Sequence, residues 1–164
     1  MRERQAGRER RRAQEFETFV AGAASRLLHT ATLLTAEPLR PPGANPRAQR
    51  MLTAALARTY AQWERLRGED PYDRTRRELA IGFAHEVWRH RRPRGGPLDR
   101  LTPQERLVLV LRLYEGVAEE QAAALLGLPV ERVRAICNRS VATMRGTRGP
   151  TARWGPQRPL GATP

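Results

Sequence analysis

The chain has 164 residues, room for one ordinary domain or two very small ones and too little for a large multidomain enzyme. Its 30 basic residues, every one an arginine, face 17 acidic ones, and the net charge of +13 points to a polyanionic partner. Aromatics at 5% argue against a β-sandwich. No apolar run approaches the ~18 residues a membrane span needs, the charged stretch Met1 to Phe16 excludes a secretory signal, and a single cysteine, Cys137, excludes a disulfide framework or a multi-cysteine metal site. These features predict a soluble, cytoplasmic, all-α protein.

The predicted elements fall into two small helical units. Residues 1–13 read as a basic N-terminal extension, 14–92 as a first, three-helix domain, 93–100 as a linker, 101–146 as a second domain, and 147–164 as a disordered tail. In the first unit, Phe16, Phe19, Val20, Ala23, Leu27, Ala31 and Leu34 recur at steps of three and four, the stripe of an amphipathic helix that ends before Glu37-Pro38. Asn45-Pro46 then offers an N-cap followed by proline in the first turn, and Leu52, Leu56, Tyr60, Trp63 and Leu66 form the next stripe. Asp70-Pro71 repeats the start signal for a third helix that buries Tyr72, Leu79, Phe83 and Val87. Arg91-Arg92-Pro93-Arg94-Gly95-Gly96-Pro97 sustains neither helix nor strand.

The second unit opens on Thr102-Pro103-Gln104-Glu105, a capping box with proline at the first helical position. Leu107 to Leu113 is apolar nearly all round apart from Arg112 and reads as the buried helix. A short helix from about Glu119 to Leu126, a turn at Gly127-Leu128-Pro129, and a longer helix from about Val130 to Arg145 give the order of a helix-turn-helix. On the last helix Val130, Val133, Cys137, Val141 and Met144 form an apolar seam, while Glu131, Arg132, Ala135, Ile136, Asn138 and Arg139 take the opposite side.

Arginine can grip guanine O6 and N7 with two hydrogen bonds, and asparagine does the same for adenine N6 and N7. Arg132, Arg134, Asn138 and Arg139 are therefore candidate base contacts. On the third helix Arg74, Arg77, His85, Arg89 and Arg92 cluster within about a third of the circumference, with Trp88 among them. Such a face suits phosphates, and the indole either stacks on an unpaired base or folds over the core edge. Cys137 reads as an inert core thiol. His29, His85 and His90 lack a metal spacing, no glycine loop cradles phosphate, and nothing suggests an enzyme or a cofactor.

The order of these pieces resembles the extracytoplasmic-function sigma factors of the sigma-70 class, in particular the sigma-E-like group of high-G+C bacteria. The likeness spans about Glu15 to Arg145. It rests on Phe16-Glu17-Thr18-Phe19-Val20, on Ala54-Ala55-Leu56-Ala57-Arg58-Thr59-Tyr60-Ala61-Gln62-Trp63, and on Trp88-Arg89-His90-Arg91-Arg92. It continues through Leu101-Thr102-Pro103-Gln104-Glu105-Arg106, Tyr114-Glu115-Gly116 and Ala124-Leu125-Leu126-Gly127. The resemblance implies a region 2 that binds core RNA polymerase and opens the −10 element, and a region 4 that reads the −35 element. It assigns Arg74, Arg77, Trp88 and Arg89 to −10 DNA, the last helix to −35 DNA, and Arg47, Arg50, Tyr60 and Trp63 to the polymerase. The family's acids at the start of the second helix are Arg47 and Arg50 here, which predicts weakened attraction to a basic polymerase surface. Its asparagine in the third helix is Gly82, and its helix-turn-helix capping serines are Ala118 and Pro129. An anti-sigma protein is a further partner class the family implies. A DNA-binding regulator detached from polymerase, or a protein-interaction module, also fits the residues.

Overall fold

The computed structural model describes residues 2–66 and 68–146, and among these all regular secondary structure is helical. The elements are α1 (Arg2–Thr35), α2 (Pro46–Ala61), α3 (Pro71–His85), α4 (Pro103–Leu109), α5 (Glu119–Leu126) and α6 (Val130–Gly146). Single 3-10 turns follow α2 (Trp63–Arg65) and α3 (Val87–His90), and α4 runs on into a π turn (Val110–Tyr114). None of these helices is long and apolar enough to cross a membrane. The tail expected at 147–164 lies outside the described residues.

The starts of α2, α3 and α4 have identifiable causes. Asp70 Oδ1 accepts from Tyr72 N (2.8 Å) at the start of α3. At α4, Thr102 Oγ1 accepts from Glu105 N (3.3 Å) while the Glu105 carboxylate accepts from Thr102 N (2.9 Å), the reciprocal box its sequence predicts. Asn45 stands at the N-cap position of α2, but its side chain donates to Thr32 Oγ1 instead (2.8 Å). The capping falls to Glu37, a buried acid whose oxygens accept from Arg47 N (3.1 Å) and Ala48 N (2.8 Å). A carboxylate there also meets the positive end of the helix dipole.

α1, α2 and α3 close a first core of Ala23, Leu27, Ala31, Ala48, Leu52, Ala55 and Leu79. Above it the N-terminal half of α1 joins an aromatic cluster, where Phe16 lies 4.8 Å from Tyr60 and 5.2 Å from Trp63, and Phe19 5.6 Å from Trp63. The Arg12 guanidinium sits 4.3 Å over the Tyr60 ring, so the arginine-rich stretch before Phe16 is helical and anchored. A second core gathers Leu98, Leu101, Leu107 to Leu111, Val117, Ala122, Ala123, Val133, Ile136 and Cys137, and includes Leu34, Ala80 and Phe83 of the first unit.

The two units are therefore locked together by this shared core, and a buried acid adds to the locking. The Glu115 side chain is 0% exposed. It accepts from the Thr30 hydroxyl of α1 and from the Tyr72 hydroxyl of α3 (2.9 and 3.0 Å), with Arg26 at 3.6 Å and Arg76 at 3.9 Å. Burial and the adjoining carboxylate hold the Tyr72 phenol well above its ordinary range, so it stays a donor. The connecting segment is irregular yet pinned. Gly96 N donates to Ala36 O (3.0 Å), and a Cβ at Gly96 would stand 2.4 Å from that oxygen, so only glycine fits. Asp99 accepts from Arg94 N and Gly95 N, each at 2.7 Å.

His90 fills the seam between the units. It stacks on Phe83 with ring centroids 4.6 Å apart, and its carbonyl accepts from the buried Arg106 guanidinium. Burial, helped by Arg106 and Arg94, pushes the imidazole down to about 4, against about 6.5 in an unfolded chain. Between those values the unfolded chain takes up a proton that the folded one refuses. The seam's contribution is complete above about pH 6.5 and falls by roughly 3 kcal/mol as pH drops through about 4. His90→Phe should remove that slope. Denaturant midpoints at pH 7 and pH 4.5 should lie closer together in the variant than in the parent chain.

Candidate nucleic-acid interface

The turn between α5 and α6 depends on Gly127, whose φ of +64° is left-handed backbone that costs glycine nothing. Leu128 N donates back to Ala123 O (3.0 Å), which ends α5 and directs the chain into α6. No side chain caps α5 at Ala118; Glu119 and Glu120 in its first turn meet the helix dipole instead.

Helix α6 buries Val133, Ile136, Cys137 and Ser140. Ile136 is 2% exposed, although helical spacing had set it on the outward side. The helix is clasped from two directions, by α4 and α5, so its apolar face is wider than a single seam. Burial also raises the Cys137 thiol above its usual range, consistent with an inert core position.

What remains outward is a strip of Arg132, Ala135, Asn138, Arg139, Ala142 and Arg145, all exposed. Arg132, Asn138 and Arg145 have no side-chain partner among the described residues. Arg139 gives only its Nε, to Glu105 Oε1 (2.9 Å), which leaves the end of the guanidinium available. Arg134 is a different case: its Nε and Nη2 both bind Glu119 Oε2, at 3.0 and 2.8 Å. That fork braces α6 against the start of α5 and holds Arg134 off the outward strip. Arg145 was passed over in the sequence; the signal that finds it is its place two turns after Asn138. Alanines at 135 and 142 keep the strip low, so a base edge can approach the helix backbone.

The basic face expected on one continuous third helix is divided. α3 stops at His85 because Glu86 N is shared between Gly82 O (3.3 Å) and Phe83 O (3.1 Å), and the next turn tightens to 3-10 geometry that swings His90 inward. Arg74 and Arg77 thus do not share a helix face with Trp88 and Arg89. Arg74 is only 18% exposed, bonded to Gln62 and to Glu78 (2.9 Å) inside the α2–α3 seam. Arg77 is more open and lies 3.4 Å from Glu69. Trp88 is 62% exposed, with the Arg89 guanidinium 4.8 Å over its ring and Arg89 in turn 3.3 Å from Glu86. Of the two positions open to the indole, it takes the outward one.

Of the expected polymerase contacts, Tyr60 and Trp63 are half-buried in the aromatic cluster under α1. Arg47 and Arg50 lie on the first turns of α2, at the mouth of a cleft between α2 and α3.

The helix-turn-helix and its outward strip coincide with a known family. The family described as Sigma-70, region 4 matches residues 98–146. The second unit is similar to sigma-70 region 4 domains. Its limits take in Leu98 and Leu101, the two leucines that lead into α4 and are buried in the shared core. Over a longer span the chain is similar to an RNA polymerase sigma-E factor of Streptomyces coelicolor, 29% identical over 156 aligned positions covering 80% of this chain and 84% of the relative. Sigma-E factors of Streptomyces antibioticus (29%) and Streptomyces avermitilis (28%) match over the same share of this chain and 83% of their own. That similarity extends beyond region 4 into the first unit. No solved structure matches the chain significantly.

Proposed function

We infer that this chain is an RNA polymerase sigma factor of the sigma-E-like kind, a non-enzymatic protein that directs transcription initiation. The observation that carries the reading is the outward strip of α6, on which Arg132, Asn138 and Arg145 have no side-chain partner among the described residues, presented after a Gly127 turn within the region 4 match. Promoter DNA and core RNA polymerase are the partners. On this reading α6 lies in the major groove of the −35 element, with Arg132, Asn138 and Arg139 on base edges and Arg145 on phosphate. Arg77, Trp88 and Arg89 serve the opened −10 strand, Trp88 by stacking. Arg134 and Arg74 position neighbouring elements. Tyr60 and Trp63 support the polymerase-facing surface by fixing α1 on α2. Arg47 and Arg50 stand where family relatives carry acids, which weakens attraction to a basic polymerase surface. An anti-sigma partner rests on the family resemblance alone.

Single substitutions in the strip test the base-reading role. Arg132→Ala and Asn138→Ala should each cost roughly 1–3 kcal/mol on the preferred duplex and relax preference at one base pair. Binding measured against a set of single-base variants of the site reads this directly. Equal losses on preferred and random duplexes would assign both side chains to the phosphate backbone.

A further inference from the structure

Away from α6, a concentration of basic side chains lines the cleft between α2 and the end of α3, of about 420 Å³. Arg47 and Arg50 enter it from the first turns of α2 and Arg58 from about two turns further on, and Arg89 and His90 from the 3-10 turn beyond α3. Two acids also line it, and both are already engaged: Glu78 with Arg74 at 2.9 Å, Glu86 with Arg89 at 3.3 Å. The guanidinium groups of Arg47, Arg50 and Arg58 have no carboxylate partner among the described residues. Three guanidiniums gathered without a counter-charge repel one another, and an anion between them relieves that repulsion.

The floor of the cleft is shaped for an occupant. Gly82 leaves it low, and a Cβ there would already meet Arg58 Nη1 at 3.4 Å, so the Arg58 guanidinium lies across the space a side chain would take. His90 borders the same cavity, 3% exposed, and neither of its ring nitrogens has a protein partner. A buried donor without a partner is costly unless a ligand satisfies it. Arginine forks match the tetrahedral oxygens of phosphate and hold them with charge-assisted bonds. The volume falls within the range of sites that hold small ligands of nucleotide size.

We propose that this cleft is a binding site for a phosphate-bearing ligand, held by Arg47, Arg50 and Arg58 over Gly82. The ligand is a free nucleoside polyphosphate. The inference stands on the cleft alone and does not depend on the sigma-factor reading.

Titration of the full chain by two-dimensional NMR tests it, with inorganic pyrophosphate, ATP and a five-residue thymidine oligonucleotide as separate probes at 150 mM salt. Saturable shifts are expected at the backbone amides of Met51, Ala54 and Gly82. Arg58→Gln, and Arg47→Gln with Arg50→Gln, should weaken binding about tenfold or more, the equivalent of at least one charge-assisted bond. Arg100→Gln, which removes the same charge from an exposed position outside the cleft, should leave it unchanged. Gly82→Leu, with every charge kept, should exclude ATP. Saturation by ATP and pyrophosphate, tighter than by the oligonucleotide, supports the site; tighter saturation by the oligonucleotide would overturn it and make the cleft part of a strand-binding surface. Shifts that never saturate, or an equal loss in Arg100→Gln, would reduce the cleft to general polyelectrolyte attraction and overturn it. So would saturation by a polyglutamate peptide but not by pyrophosphate, which would make the cleft a protein-docking surface.

Discussion

Glu115→Ala lowers the unfolding free energy by roughly 3–5 kcal/mol, the loss expected when one member of a buried charged cluster is removed. The carboxylate is the acceptor for Thr30 and Tyr72 and a counter-charge for Arg26 and Arg76, so its loss removes a partner from four groups of α1 and α3 at once, although Thr30 keeps Arg26 O and Arg76 keeps Asp73. Glu115→Gln keeps the shape and one acceptor oxygen, and should lose less. Because the acid sits just beyond α4 and its partners on α1 and α3, the deficit falls on the contact between the two units. Chemical denaturation followed by circular dichroism measures the loss. Thr143→Ala, on the exposed side of α6, serves as a control expected within about 0.5 kcal/mol of the parent.

Affinity for duplex DNA should fall steeply with salt, by about 0.9 log units per log unit of salt for each phosphate contacted. Four phosphate contacts correspond to a loss of roughly 100-fold between 50 and 200 mM salt. The outward strip of α6 supplies Arg145 for one of these contacts. Filter binding or fluorescence anisotropy across that range gives the slope. A flat response would mean that the net charge of +13 serves solubility and not phosphate contact.

The helix-turn-helix was legible because its signals are local. The Thr102–Glu105 box, the Gly127 turn and the 3.6-residue pattern of α6 each need only a few neighbouring residues, and each lies where the sequence places it. What was not legible depends on contacts across the chain. Nothing near Glu115 reveals that Thr30 and Tyr72, 85 and 43 residues earlier, converge on it. Ile136 faces inward because α6 is clasped on two sides, which a helical wheel of one element does not contain. Glu37 caps α2 from the far side of a loop, displacing the nearer Asn45. The break at Glu86 follows from His90 packing on Phe83 under Arg106, a residue of the other unit. Among the candidate DNA contacts, residue type and periodicity found Arg132 and Asn138. They could not separate Arg139 from Arg134, because Glu119 and Glu105 choose which guanidinium remains outward.

Run-off transcription with the native core RNA polymerase on a library of genomic promoter fragments tests the central claim most directly. The account predicts transcripts from defined start sites that appear only when the chain is added. They should fall at least tenfold when Arg132→Ala and Asn138→Ala are combined, each substitution alone being worth about that factor. Sequence-specific duplex binding without any transcript would contradict the account and leave a DNA-binding regulator that has parted from polymerase.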